Sequence, residues 1–150
     1  MLRYVPIPQL SMVWPVVREH IRHANDKLGE RNTPEEIYYA LRQNMAGLYL
    51  AREGDGVFVA QKVVELDGTI TCFIWLAVGP MRDEVHELQR QLETIARMIG
   101  AVRLRMRSPR KGWERATGGY WQVAEMLYEH ELGQAHEHDQ ISPVGAALAA

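Results

Sequence analysis

The sequence predicts an α+β fold in which helices cover both faces of a mixed, mostly antiparallel sheet, in the order β-α-α-β-β-β-α-β-α-β. An apolar strand-like segment is followed by two amphipathic helical segments and then by three strand-like segments, which are separated by Glu53-Gly54-Asp55-Gly56 and by Asp67-Gly68. A further helical segment then lies between two strand-like segments, which predicts that those two strands are parallel. We expect one domain over residues 1–132 and a tail, 133–150, that is flexible or docked on a partner.

The first predicted elements are an edge strand and a long helix. Leu2–Ile7 is apolar and is ended by Pro8, which is tolerated at a sheet edge. The helix is predicted to run from Ser11, as its N-cap, to Leu28, with Pro15 in the first turn. Its apolar stripe consists of Trp14, Val17, Ile21, Ala24 and Leu28.

A second helix is predicted to begin with a capping box at Thr33-Pro34-Glu35-Glu36, which has proline at the first helical position. Its predicted buried residues are Ile37, Ala40, Leu41 and Met45. An antiparallel meander of three strands should follow, formed by Gly47–Arg52, Val57–Leu66 and Thr69–Val78. Asp67-Gly68 fits a two-residue hairpin turn between the last two strands.

The clearest strand, turn and helix run from Thr69 to Gly100. Thr69–Val78 has almost no charge, which is typical of a central strand covered on both faces. Asp83 is the predicted N-cap of the next helix and Gly100 its C-terminal cap. The apolar positions of that helix are Val85, Leu88, Leu92, Ile95 and Ile99. The remaining predicted elements are a strand over Ala101–Arg107, a helical turn over Gly112–Thr117 and a last strand over Tyr120–Leu132, where Ala124–Leu127 would also suit a helix.

Composition excludes several classes of protein. The chain has 150 residues, is 47% hydrophobic and has a net charge of -2, which predicts one globular domain with no global attraction to nucleic acid or membrane. Cys72 is the single cysteine, so no intrachain disulfide is possible, and we expect a buried and inert thiol. No long apolar segment is present, and we expect a cytoplasmic protein. The histidines lack a rigid set of partner ligands, so no metal site is predicted.

Two short motifs and the element order resemble the GCN5-related N-acetyltransferase (GNAT) family. Val78-Gly79-Pro80 is similar to the V-x-P that ends the fourth strand of that family. Gly119-Tyr120 followed by 128–132 (YEHEL) is similar to its closing G-F…Y-x-K-x-L stretch. Arg110–Arg115 with Gly119-Tyr120 also resembles small bacteriophage-encoded members, several of which are virion-associated or directed at the host.

The resemblance implies a cofactor, coenzyme A, and a set of site residues. Its pantetheine arm would bind along the end of the fourth strand by backbone hydrogen bonds. The residues expected to bind the cofactor are Leu76, Ala77, Val78 and Arg82. The residues expected to deprotonate an acceptor amine are Glu65, His86 and Tyr128.

Departures from the family pattern indicate that the catalytic machinery is degenerate. Asp83 occupies the position of the family's Arg or Gln, and Glu84, His86 and Leu88 occupy positions where glycines or a small residue bind pyrophosphate. Carboxylates repel a phosphate, and side chains obstruct close approach of the backbone. Arg115 stands where the family often has a tyrosine general acid, and arginine does not give up a proton at neutral pH.

A basic segment between Arg97 and Lys111 contains six cations and no acid. Alternation places Arg103, Arg105 and Arg107 on one face of the strand, and we call these three residues the arginine stripe. The stripe would bind phosphate or nucleic acid, or would form ion pairs with Glu125, Glu129 and Glu131 of the predicted last strand. With the neighbouring tryptophans, the predicted interaction surface consists of Arg103, Arg105, Arg107, Arg110, Lys111, Trp113, Arg115 and Trp121.

Three functions follow from these patterns. The first is a GNAT-fold protein, phage-encoded, that lacks efficient acetyl transfer, needs no cofactor and binds a virion component or a host protein. The alternative is a divergent acyl-coenzyme A-dependent N-acyltransferase. The third is binding of an anion or nucleic acid by the arginine stripe, which predicts an affinity that falls steeply with salt.

Overall fold

The computed structural model describes residues 2–79, 85–109 and 111–134, without the side chains of Glu53 and Val85. The strands are β1 Leu2–Val5, β2 Ala46–Ala51, β3 Gly56–Val64, β4 Ile70–Val78 and β5 Arg103–Met106. The helices are α1 Leu10–Leu28, α2 Pro34–Arg42, α3 Val85–Met98 and α4 Trp113–Ala116. Several predicted features lie outside the described residues: the helix cap at Asp83, the cofactor-binding residue Arg82, the interaction-surface residue Arg110 and most of the tail.

The five strands form one sheet in the order β1-β2-β3-β4-β5. The neighbouring strands among β1 to β4 are all antiparallel to each other. β5 is parallel to β4, as expected for two strands joined through a helix. The predicted meander and the predicted parallel pair are therefore both present, and the fold is a mixed, mostly antiparallel α+β fold.

Helices cover both faces of the sheet and define two apolar clusters. α1 and α2 pack on one face, where Ile21, Ile37 and Leu48 are among the buried side chains. α3 packs on the other face over Phe58 and Cys72. None of the helices in the described part of the chain is both long and apolar enough to cross a membrane.

The connection between β3 and β4 differs from the predicted two-residue turn. β3 ends at Val64 and β4 begins at Ile70, and the Glu65 amide donates to the carbonyl oxygen of Thr69 at 2.8 Å. Gly68 has φ 84°, whereas no positive φ is found at Asp67. A two-residue type I′ turn needs positive φ at both central residues, so the chain forms a three-residue loop instead.

Both predicted helix starts were partly wrong. α1 begins at Leu10, because a short 3₁₀ turn at Ile7–Gln9 leads into it, so Ser11 lies inside the helix. Pro15 consequently lies beyond the first turn. α2 begins at Pro34 as predicted, but the Thr33 side chain forms no capping hydrogen bond. Met45, predicted to be buried on α2, lies beyond the helix end and is exposed.

The chain divides into two compact units, Met1–Lys111 and Gly112–Ala150. The first contains the sheet and α1 to α3. In the described part of the second, α4 is followed by a turn in which the rings of Tyr120 and Trp121 meet edge to face, with centroids 5.6 Å apart. The predicted last strand over Tyr120–Leu132 was wrong, because residues 122–134 form neither strand nor helix and are exposed.

Candidate active site

β4 contains a bulge at Trp75. Val59 of β3 lies opposite Leu76, but the next residue, Ala60, lies opposite Ile74. Trp75 is therefore an extra residue without a partner on β3. A bulge bends its strand and changes the direction of the side chains that follow it.

The bulge changes which face of the sheet the side chains of β4 occupy. Cys72 and Ile74, before the bulge, are buried in the cluster under α3. Leu76 and Val78, after it, are buried in the cluster under α1 and α2. Regular alternation along these four positions would have placed all four side chains on one face. Because of the extra residue, the two ends of β4 contribute to two different apolar clusters.

β4 extends beyond its pairing with β5. The two parallel strands pair from Thr71 opposite Arg103 to Ile74 opposite Met106. Trp75–Val78 continues past this point, and no described strand pairs with it on its β5 side. We call Trp75–Val78 the β4 edge. Unpaired N–H and C=O groups along such an edge bind extended ligands that carry amide groups.

The end of the β4 edge touches the connection between β2 and β3. Gly79 has φ 149°, and a Cβ atom there would lie 2.7 Å from Cα of Gly56 and 3.1 Å from the carbonyl oxygen of Asp55. Only glycine combines this backbone conformation with so close an approach. The exit from β4 is thereby fixed against the β2–β3 connection.

His20 of α1 holds the same connection. Its Nε2 atom lies 2.7 Å from the carbonyl oxygen of Gly54 and must donate the hydrogen, because a carbonyl oxygen only accepts. The sequence patterns do not predict this contact. The two residues are 34 positions apart, so no local pattern could have indicated it.

Polar side chains meet at the opposite end of β4, beside the β3–β4 loop. Glu65 accepts hydrogen bonds from Oγ1 of Thr71 at 2.7 Å and from Nη1 of Arg105 at 2.9 Å. Arg103 donates to the hydroxyls of Thr71 and Thr69 at 3.0 and 3.2 Å. The hydrogen bond from Thr71, followed by the charge of Arg105, lowers the pKa of Glu65 against the opposing effect of desolvation. Glu65 is thus the carboxylate acceptor in a hydrogen-bond network that joins the β3–β4 loop, β4 and β5.

The three residues predicted to deprotonate a substrate are not brought together by the described contacts. Glu65 lies near the start of β4, about 17 Å along the strand from Leu76 at the usual rise per residue. His86 is exposed in the first turn of α3. Tyr128 belongs to the second unit, where its exposed hydroxyl lies 3.4 Å from the sulfur of Met126. Their catalytic roles stay predictions.

The predicted cofactor residues Leu76 and Val78 have buried side chains, and Ala77 is half-buried. A ligand on this strand would therefore meet backbone groups. Cys72 is fully buried, and burial raises the pKa of its thiol to about 11. Within residues 2–79, 85–109 and 111–134, no three His, Cys, Asp or Glu side chains are grouped to hold a metal ion.

The arginine stripe is neutralised differently from the prediction. The predicted cross-strand ion pairs required a last strand that residues 122–134 do not form, and Arg105 pairs with Glu65. The guanidinium of Arg107 lies 5.9 Å from the ring centroid of Phe73, within reach of a cation–π interaction. Arg103 binds threonine hydroxyls.

The rest of the predicted interaction surface belongs to both units. Lys111, at the end of the first unit, is exposed. In the second unit Arg115 is exposed, whereas Trp113 and Trp121 are half-buried. The amide of Trp121 donates to the hydroxyl of Thr117 at 3.2 Å. Whether these side chains form one surface stays a prediction.

No protein-family model matches the sequence, and a search of curated proteins found no match either. Solved structures do match. An aminoglycoside acetyltransferase from an uncultured soil metagenomic sample is 11% identical, with a TM-score of 0.60, over 90% of this chain and 98% of that one. A ribosomal-protein-alanine N-acetyltransferase from Brucella melitensis is 13% identical, with a TM-score of 0.59, over 88% and 99% of the two chains. This is the GNAT fold.

A third similar structure is that of a predicted acetyltransferase with acetyl-CoA, from Clostridium acetobutylicum. It is 9% identical, with a TM-score of 0.59, over 87% of this chain and 95% of that chain. Identities this low establish the GNAT fold alone. The fold expected from the resemblance is therefore confirmed, and activity has to be argued from the β4 edge and its surroundings.

Proposed function

We propose that this GNAT-fold protein is a divergent acyl-coenzyme A-dependent N-acyltransferase. The observation that carries the proposal is the β4 edge, where the pairing with β5 has ended and no described strand pairs with the backbone of Trp75–Val78 on its β5 side. The three similar solved structures described above are acetyltransferases by name, and they support the same class of reaction.

The β4 edge fits the pantetheine arm of coenzyme A. That arm is extended and contains two amides, which match the spacing of peptide groups along a strand. The backbone of Leu76, Ala77 and Val78 would hold it, and the buried side chains of Leu76 and Val78 would keep that backbone rigid. When bound, the thioester supplies the activated acyl group. The Gly79 contact with Gly56 would fix where the bound arm leaves the strand.

Acyl transfer to an amine also requires a group that accepts the amine's proton. Glu65 is bound to Thr71 and Arg105 at the far end of β4, so we favour the other two predicted residues for this role. His86 follows the β4 edge most closely in sequence, and Tyr128 is the second choice. His86→Gln should lower the turnover rate while leaving the affinity for acetyl-coenzyme A unchanged.

The second candidate function is that of a catalytically degenerate GNAT-fold protein that binds other proteins. The observation in its favour is chemical: Asp83 and Glu84 stand in the segment expected to bind pyrophosphate, and Arg115 stands at the position of the general acid. A phage origin, a place in the virion or the host cytoplasm, and a protein partner at the arginine- and tryptophan-rich surface belong to this proposal. They rest on the sequence resemblance alone.

Isothermal titration with two ligands tests both candidates. Acetyl-coenzyme A and acetyl-pantetheine share the thioester and the amide arm, but only the first carries the pyrophosphate. We expect micromolar binding of acetyl-coenzyme A, followed by turnover with an amine. Binding of acetyl-pantetheine alone would support the degenerate protein, and binding of neither would exclude the acyltransferase.

A charge-neutralising variant tests whether the two carboxylates of the predicted pyrophosphate segment repel the cofactor. Asp83→Gln with Glu84→Gln removes two negative charges from the predicted pyrophosphate segment. If these carboxylates repel the cofactor, the variant binds acetyl-coenzyme A more tightly and acetyl-pantetheine equally well. The matched control is Glu35→Gln with Glu36→Gln in the first turn of α2, which should change neither affinity.

A further inference from the structure

β5 is the outermost strand of the sheet, and only one of its edges is paired. It pairs with β4 along Arg103–Met106, and no residue in the described part of the chain pairs with its other edge. The exposed N–H and C=O groups of such an edge accept another strand.

The two faces of β5 differ in chemistry. Arg103 and Arg105 project on one face, as their bonds to Thr71 and Glu65 require, and Arg107 continues the same alternation. Leu104 and Met106 project on the opposite face, where they pack against the cluster under α3. A strand that completes this edge should carry acids on one face and apolar side chains on the other.

Residues 124–132 (AEMLYEHEL) carry the complementary pattern. In an extended conformation the odd positions include three acids, Glu125, Glu129 and Glu131. The even positions include Met126, Tyr128 and Leu132, which are 69%, 85% and 89% exposed. Leu127 and His130 depart from the pattern. Water-exposed apolar side chains in an irregular segment gain free energy when a sheet edge buries them.

We propose that residues 124–132 of one copy add as a strand to the β5 edge of a second copy, and that two copies exchange these strands reciprocally. The second copy is the occupant because the chain's own segment has no strand structure, although both the segment and the edge are described. A two-fold dimer satisfies both edges at once. This inference does not depend on the proposed acyltransferase activity.

An antiparallel register fits the two faces together. Placing Met106 opposite Met126 also places Leu104 opposite Tyr128 and Arg107 opposite Glu125, because opposite residues in an antiparallel pair run in reverse order. Apolar side chains then meet on the α3 side, and opposite charges meet on the other side. Both types of cross-strand pair stabilise a sheet.

Complementary charge reversal tests the exchange in the full-length chain. In this register Arg107 lies opposite Glu125 and Arg103 lies opposite Glu129. The arginine variant carries Arg103→Glu and Arg107→Glu, and the glutamate variant carries Glu125→Arg and Glu129→Arg. Wild type should sediment as a dimer, and each variant alone should dimerise about tenfold or more weakly, because like charges then face each other across both edges. An equimolar mixture should recover the dimer, since every exchanged pair in the mixed dimer is again attractive.

Controls separate this result from misfolding. Arg18→Glu with Arg42→Glu, at exposed positions on α1 and α2, makes the same change in net charge as the arginine variant and should leave the dimer intact. Circular dichroism of each variant should match wild type. A wild-type monomer at all concentrations overturns the proposal, as does a dimer that neither variant weakens. Variants that stay monomeric when mixed also overturn it, because docking within one chain would behave in that way.

Discussion

Nη1 of Arg105 lies 2.9 Å from Oε1 of Glu65, although the two residues flank β4 from opposite sides. Glu65 follows β3 and Arg105 belongs to β5, and Thr71 of the intervening strand donates to the same carboxylate oxygen. Three consecutive strands are thus joined at one carboxylate, and the parallel strand is tied to the antiparallel meander.

The first prediction concerns the pH dependence of this link. The pKa of Glu65 is lowered from its ordinary value of 4.5 by the hydrogen bond from Thr71 and by Arg105. A carboxylate whose pKa is depressed on folding stabilises the fold above the unfolded pKa, and this contribution is lost as pH falls through the folded pKa. Glu65→Gln should therefore destabilise the protein at pH 7 and have a smaller effect at pH 3.

Urea unfolding at the two pH values measures that difference. Glu36→Gln, exposed on α2, is the matched control and should leave the free energy of unfolding unchanged at pH 7. An equal loss of stability at pH 7 and pH 3 would show that Glu65 acts through packing instead of charge.

The second prediction concerns Gly79. Alanine there is strained at φ 149° and brings its Cβ to 2.7 Å from Cα of Gly56, so Gly79→Ala should cost about 3 kcal/mol of stability. Gly29→Ala is the matched control, because Gly29 has φ 74° but open space around it. We expect the control to cost about 1 kcal/mol, from the backbone conformation alone. Thermal unfolding of both variants checks the difference, and equal losses would contradict the close contact.

Local patterns predicted most of the fold because each element is specified by neighbouring residues. The spacing of Val17, Ile21 and Ala24 predicted the buried stripe of α1, and Gly100, with φ 80°, ends α3 as expected. The last strand was wrong for a physical reason. Residues such as Met126 and Leu127 are compatible with more than one conformation, and a sheet edge decides between them.

The candidate site was predicted less completely, because it depends on pairing between distant segments. The resemblance predicted a role for Leu76–Val78, but no residue pattern predicts that Trp75 is an extra residue in the register between β3 and β4. The bond between His20 and Gly54 and the link between Glu65 and Arg105 also join residues far apart in sequence. Such contacts follow from topology, which alternation and capping signals do not specify.

The third prediction concerns Cys72. Burial raises the pKa of its thiol to about 11 from an ordinary 9.0, so its thiolate fraction at pH 8 should be about 100-fold smaller than that of an exposed cysteine. Because the residue is also inaccessible, a thiol reagent at pH 8 should label the native protein slowly and the urea-unfolded protein at once. Rapid labelling under native conditions would mean that β4 opens readily beneath α3.

The last prediction concerns the bulge. Deleting Trp75 would remove the extra residue, so Leu76 would follow Ile74 in regular alternation and Leu76 and Val78 would stay on the face under α1 and α2. The deletion variant should therefore still unfold cooperatively, but without the bend that the bulge gives β4. Trp75→Leu keeps the residue count and should fold, at a cost of about 1–3 kcal/mol for the smaller half-buried side chain. Circular dichroism and thermal unfolding check that both variants fold, and a deletion variant without cooperative unfolding would contradict this expectation. Because the β4 edge begins at the bulge, Trp75→Leu should also retain acetyl-pantetheine binding if the backbone is what holds the ligand, whereas loss of binding in this folded variant would assign that role to the indole.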